Sequence, residues 1–297
     1  MKKFLFYILL FKVAFASLQD IVETKITAVN PSNQTIEFES KDLKVGETGW
    51  IYANVTDYGG ILSLAEIVKI NQNKAIAKIK QYDALKQIYL PNPTLKPKIG
   101  DKVIFRKLNK HAFLIAPTLE LYDQIKTSHQ EVEFLSSDLL LGYLYAYGGY
   151  DPTKEFLRSA CNIYAAGLIY VVAQNELAIL DCQSIKILSS EKLDTSSAKE
   201  PIIPFYSRIE PVKTGTLFSI FANKKSKYYF SYFTSLVHPE ISYQVLLQKE
   251  RPLVEAREQA RKKQLEEEKK KNKAKKQEKK HSKDDLKTSS DQEPSLK

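Results

Sequence analysis

Lys297, the last residue of the sequence, combines an ε-ammonium, a four-carbon stem and, as a chain end, a free α-carboxylate. A cation and an anion separated by an apolar stem suit a shallow site that presents the opposite charges across aromatic rings. An internal lysine has no carboxylate. It imitates the pair only with an acidic residue one helical turn away. Glu266–Lys270 and Glu267–Lys271 have that spacing. Cys161 and Cys182 are the other reactive pair. An even count favours a disulfide in an oxidising compartment; the alternative is two buried thiols acting as small apolar side chains. Histidines stand at 111, 129, 238 and 281, none at ligand spacing, so neither a metal nor another cofactor is expected. Phosphate-binding glycine loops, a nucleophile elbow and a zincin motif are all missing from the sequence. Acidic residues are scattered without an acid/base couple. The chemistry on offer is binding, and no enzyme is expected.

The lysines sit in a chain that opens with MKKFLFYILLFKVAFASLQD. Lys2 and Lys3 precede an apolar run from Phe4 to Phe11, and Ala14-Phe15-Ala16 is a small-x-small cleavage site. This reads as a secretory signal peptide over 1–16. The run is well short of the roughly 20 residues of a membrane span. The alternative is an uncleaved interfacial helix. The expected location is therefore exported: cell surface or outer envelope, with periplasm and medium open.

Charge separates the remaining chain into two parts. Residues 249–297 hold 17 Lys+Arg against 11 Asp+Glu, a net of +6. Residues 17–248 hold 25 against 24, close to neutral. A basic fold surface for nucleic acid is therefore not expected. Lysine is 14 of the 49 tail residues, so a final lysine carries little weight by itself.

Periodicity gives the elements. Residues 17–116 read as short strands of a small β-rich barrel or sandwich. "LKVGETGWI" and "PKIGDKVIF" each place a Gly-acid turn before a strand, at Gly46-Glu47 and Gly100-Asp101. "AEIVKINQNKAIAKIK" is a hairpin around Asn71-Gln72-Asn73. Residues 117–248 read as an α/β module. Leu119, Tyr122 and Ile125 have helical spacing; Ser136-Ser137-Asp138 caps a helix that ends at Gly148-Gly149; Asp151 is expected as a cap with Pro152 at the first helical position. "GLIYVVAQNELAILDC" is a hairpin around Gln174-Asn175. Leu217, Ile220 and Phe221 share one helical face, and Tyr229, Phe233 and Leu236 another. The tail, 249–297, has no heptad seam and is a solvated helix or a disordered segment. The expected class is mixed α+β.

In order along the chain, "LKVGETGWI", "AFLIAP", "RSACNIY", "LDCQS", "PFYSRIE" and "SKYYFSYF" resemble the N-terminal domain of the bacterial plasminogen-binding PgbA family. The resemblance runs from about residue 18 to about 240. It implies an exported surface protein with a lysine-rich charged tail, whose partner is host plasminogen. Kringle domains of that partner would take lysine, chiefly Lys297, with Lys270 and Lys271 as internal candidates. The competing expectation is a periplasmic or envelope structural component with an incidental tail and a peripheral envelope association.

Overall fold

A computed structural model describes residues 17–55, 58–85, 95–209 and 224–288. The chain divides into a unit ending at Ile241 and a second from Ser242.

The first unit contains two sheets. Sheet one runs β1(Val22–Lys25), β7(Lys102–Phe105), β4(Thr48–Val55), β5(Tyr58–Asn71), β6(Lys74–Lys80), β3(Thr35–Glu39), β2(Ala28–Asn30), all antiparallel. Its two edges, β1 and β2, are consecutive in sequence. Ile26 N–H donates to Asp101 O and Thr27 N–H to Glu37 O, so the corner bonds to both sides and the sheet curls into a half-barrel. Curling hides edges that would otherwise pair with other chains. Alternation turns Ile36, Phe38, Ile51, Ile67, Val103 and Phe105 inward to an apolar core. Phe105 lies across Gly49, where an added Cβ would sit 2.8 Å from the ring. The β5–β6 hairpin turns at Gln72 in the left-handed region, as the Asn-rich stretch predicts.

The chain changes sheet between Phe105 and His111. Sheet two has the order β12(Ile187–Lys192), β11(Glu176–Asp181), β10(Leu168–Ala173), β8(His111–Ile115), β9(Glu133–Leu135). β8 pairs parallel with β10 and β9, while β10–β11–β12 are antiparallel. All six residues of β10 are buried, because both faces are covered. Leu168, Tyr170 and Val172 face α1(Leu119–Ser128) through Leu121, Tyr122 and Ile125. Ile169 and Val171 face α2(Ser137–Tyr143), α3(Lys154–Tyr164) and α4(Tyr229–Val237). Tyr229 and Phe233 of α4 are fully buried there, on the face the spacing predicts. The whole is mixed α+β, as expected.

Local expectations are adjusted in two places. Leu119 is exposed, and Leu121 takes the core position on α1. Asp151 does not cap α3: Thr153 does, its hydroxyl accepting from Phe156 N–H at 3.2 Å, so Pro152 lies outside the helix. Asp151 instead accepts from the Lys225 and Ser226 N–H groups at 3.0 and 2.9 Å and fixes the turn entering α4. The Leu217, Ile220 and Phe221 face lies outside the described residues.

The end of α4 is tied to β11 by His238, whose ring lies 2.7 Å from Glu176 and 3.2 Å from Glu240. Burial works against the charged ring, but the two carboxylates outweigh it and raise its pKa above 6.5. Protonation is thus stronger in the fold than in the unfolded chain. The stabilisation is full below the unfolded value and lost as pH rises through the folded one. His238→Gln is expected to lose about 0.5–1 kcal/mol near pH 5.5 and less near pH 8.5. Denaturant melts of both proteins at the two pH values check this; a loss that grows with pH would contradict it.

Candidate functional site

The turn Leu43–Thr48 enters β4 and carries a dense polar network. Gly46 sits at φ 96°, and an added Cβ would meet Lys186 Cβ at 3.0 Å, so both conformation and space call for glycine. Glu47 Oε1 accepts from Lys44 N–H at 3.0 Å, closing the turn. The matching turn at Gly100 is built the same way, with Asp101 accepting from Lys98 N–H at 2.9 Å.

The first turn also makes long-range bonds. Arg106, itself in the left-handed region, donates from Nε and Nη2 to the two Glu47 oxygens at 2.9 and 3.0 Å. Its Nη1 reaches Asp42 Oδ2 at 2.7 Å and Ser17 O at 2.9 Å, and Nη2 reaches Asp42 O at 3.0 Å. All five guanidinium donors are occupied. One residue on, Thr48 donates N–H and hydroxyl to Asp181 of β11 at 3.0 and 2.9 Å. Asp181 Oδ1 accepts from the Gln183 and Ser184 N–H groups at 2.9 and 2.8 Å, and Ser184 Oγ donates to Gly46 O at 2.7 Å. Burial pushes the Glu47 carboxyl above its ordinary value, against the pull of Arg106. Burial likewise pushes Asp181 up against its donors. At Glu66 burial is outweighed by Lys186, 2.8 Å away, and Lys80, which hold its carboxyl low.

Cys161 and Cys182 are joined by a 2.02 Å disulfide, which ties α3 to the residue after Asp181. Arg158 Nε and the Gln183 carbonyl at 2.7 Å brace the same turn. Every Arg106 donor is taken and Asp181 is enclosed, and through Thr48–Asp181 and Gly46–Ser184 the network joins the two sheets. Among the described residues, no cluster of three or more His, Cys, Asp or Glu is arranged to hold a metal.

Lysine chemistry lies in the second unit, on α5(Tyr243–Thr288). Its 46 residues are, at the usual helical rise, about 69 Å long. Leu253 and Leu265 are exposed. Glu266, Glu267, Lys269 and Lys271 are exposed too, so Glu267 and Lys271 form a solvated pair one turn apart. Lys270 lies on the same helix; its side chain is outside the described set. Lys297 lies outside the described residues. No described helix is long and apolar enough to cross a membrane.

Sequence reasoning found the turn at Gly46-Glu47 but not its partners. Arg106, Thr48 and Asp181 are far apart in the chain. The available signal was composition: residues 17–241 hold three arginines, and Arg106 directly follows an apolar strand.

The family model described as "Plasminogen-binding protein pgbA N-terminal" matches residues 21–237. The chain belongs to this family. Plasminogen-binding protein PgbA of Helicobacter pylori strain J99 is 42% identical over 225 residues, covering 76% of this chain and 49% of the relative. The protein of the same name from strain 26695 is 40% identical over 225 residues, with the same coverage. The chain thus spans about half the length of the curated relatives it matches. No solved structure matches. The family match covers the two-sheet unit and ends before α5 begins at Tyr243.

Removing Arg106 strands one buried carboxylate, Glu47 at 1% exposure, and leaves the half-exposed Asp42 without its partner. Arg106→Met is expected to cost about 3–5 kcal/mol of stability by urea denaturation. Adding Glu47→Gln should recover part of that, because the stranded charge, not lost packing, causes most of the cost. A loss under about 1 kcal/mol would mean that the network is not the fastener described.

Proposed function

We propose that this chain is an exported protein that captures plasminogen through lysine side chains and has no catalytic activity of its own. The observation that carries the reading is the exposed Glu267–Lys271 pair on α5 in a member of the plasminogen-binding PgbA family. A kringle lysine site needs a cation, an anion and an apolar stem between them. On α5 the ammonium comes from Lys271, with Lys270 beside it, and the carboxylate from the preceding turn. Where Lys297 carries the free α-carboxylate, it offers both charges in one residue and is the chief ligand. The leader-like 1–16 segment and the Cys161–Cys182 disulfide support an oxidising, exported setting.

A second reading is favoured by the limits of the family match, which stops at 237. The two-sheet unit would then be the working part, as an envelope structural component, with the tail incidental. Plasminogen binding to the full chain separates the two. Lysine capture predicts that a free lysine analogue abolishes binding. Deleting Lys297 together with Lys270→Gln and Lys271→Gln should weaken binding at least about tenfold. Undiminished binding after those changes, with the analogue inert, would remove the lysine mechanism. Complete lack of binding by the intact chain would leave the envelope reading.

A further inference from the structure

The outer face of sheet one carries a recessed basic and aromatic patch that the lysine reading of α5 does not use. Val22, Thr24, Ile51, Ala53, Val103 and Phe105 point inward, so their neighbours point out. Register then sets two rows across the adjacent strands β1, β7 and β4. One row is Lys25, Lys102, Tyr52; the next is Glu23, Ile104, Trp50. Lys98 and Lys107 line the same recess as Lys25, Lys102 and Tyr52. Trp50 is half-buried, with Tyr52 at 6.3 Å and Tyr82 at 6.0 Å between ring centroids.

Cross-strand pairing does not favour this arrangement. Lys25 directly opposite Lys102 is a like-charge pair, which weakens a sheet. Glu23 answers Lys102 at 3.0 Å. Asp101 is buried in its own turn and accepts from Lys98 N–H. Among the described residues no ion pair is found for Lys25, Lys98 or Lys107. Three exposed ammonium groups therefore surround a recess whose next row is an indole and an isoleucine.

We propose that this face binds an acidic polysaccharide. Sulfate or carboxylate groups would pair with Lys25, Lys98 and Lys107, and a sugar ring would stack its C–H face on Trp50. Nucleic acid is disfavoured because the disulfide fits the oxidising, exported setting proposed above, on which this step rests, and there acidic glycans rather than nucleic acids are the common polyanions. A membrane is disfavoured because the aromatic groups lie in a recess instead of on a protruding apolar edge. The proposal stands independently of plasminogen capture.

Trp50 is the single tryptophan of the chain, so its emission reports this face and not the lysines of α5. The test titrates the full-length chain with heparin and with polygalacturonate, with neutral dextran as the control. The expected result is a saturable change in Trp50 emission with the acidic polymers only. Affinity should fall at least about tenfold between about 50 and 300 mM salt. The triple variant Lys25→Gln, Lys98→Gln, Lys107→Gln should bind at least about tenfold more weakly without a lower thermal midpoint, since all three side chains are exposed. Lys25→Gln alone, which removes the like-charge pair, should bind more weakly with an unchanged or higher midpoint. Lys270→Gln with Lys271→Gln should leave the Trp50 response unchanged. Unaltered emission on adding heparin, or wild-type affinity in the Lys25, Lys98 and Lys107 variants, would overturn the proposal. So would tighter Trp50-reported binding of duplex DNA or phosphatidylserine vesicles, which would assign the face to another class of partner.

Discussion

The folded unit depends on Arg106 holding Glu47 and Asp42. An arginine side chain 1% exposed is tolerable only if every donor is met, and here the five N–H groups find two carboxylates and two carbonyls. A lysine has neither the donors nor the planar fork to do the same. The consequence reaches beyond the pair. Ser17 is bound by Arg106, and Leu18 O accepts from Asn109 Nδ2 at 2.7 Å, so the start of the described chain is tied to the crossing between the sheets. Leu18 then packs in the core under α1.

The same turn fastens the second sheet. Glu47 faces Arg106, Thr48 faces Asp181, and Gly46 supplies both the positive φ and the room for Lys186. Asp181 sits next to Cys182, whose disulfide fixes the β11 turn to α3. Polar groups at this seam are costly to bury and give the joint directionality that apolar packing lacks. The two hydrophobic cores on either side of sheet two supply most of the burial, and β10 lies between them. The same division separates enclosed charge, which fastens the sheets, from exposed charge on α5 and on the outer face of sheet one, which is open to a partner.

Much was legible in the sequence because it is local. Hairpin turns, the Gly-acid turns, the Ser136 cap and the buried face of α4 follow from two or three neighbouring residues and a period of 2 or 3.6. Charge composition separated the near-neutral fold from the lysine-rich tail, and the order of short blocks pointed to the family. Some local readings failed where a tertiary partner competed. Asp151 and Thr153 are both good helix caps, and the sequence does not tell that Asp151 is needed by the turn at Lys225 and Ser226.

The sequence by itself determined the kinds of element, the charge division and the chemistry that lysine can offer. Only the tertiary structure decided which acidic turn is the hub. "KVGE" and "KIGD" close alike, with a positive-φ glycine and a carboxylate accepting from the lysine N–H three residues back. Glu47 then meets Arg106, 59 residues away, while Thr48 meets Asp181, 133 residues away. Turn chemistry depends on dihedral angles within four residues. Burial of a charge depends on what folding brings against it from elsewhere in the chain. The same holds for Lys25 and Lys102, which become neighbours only through strand register.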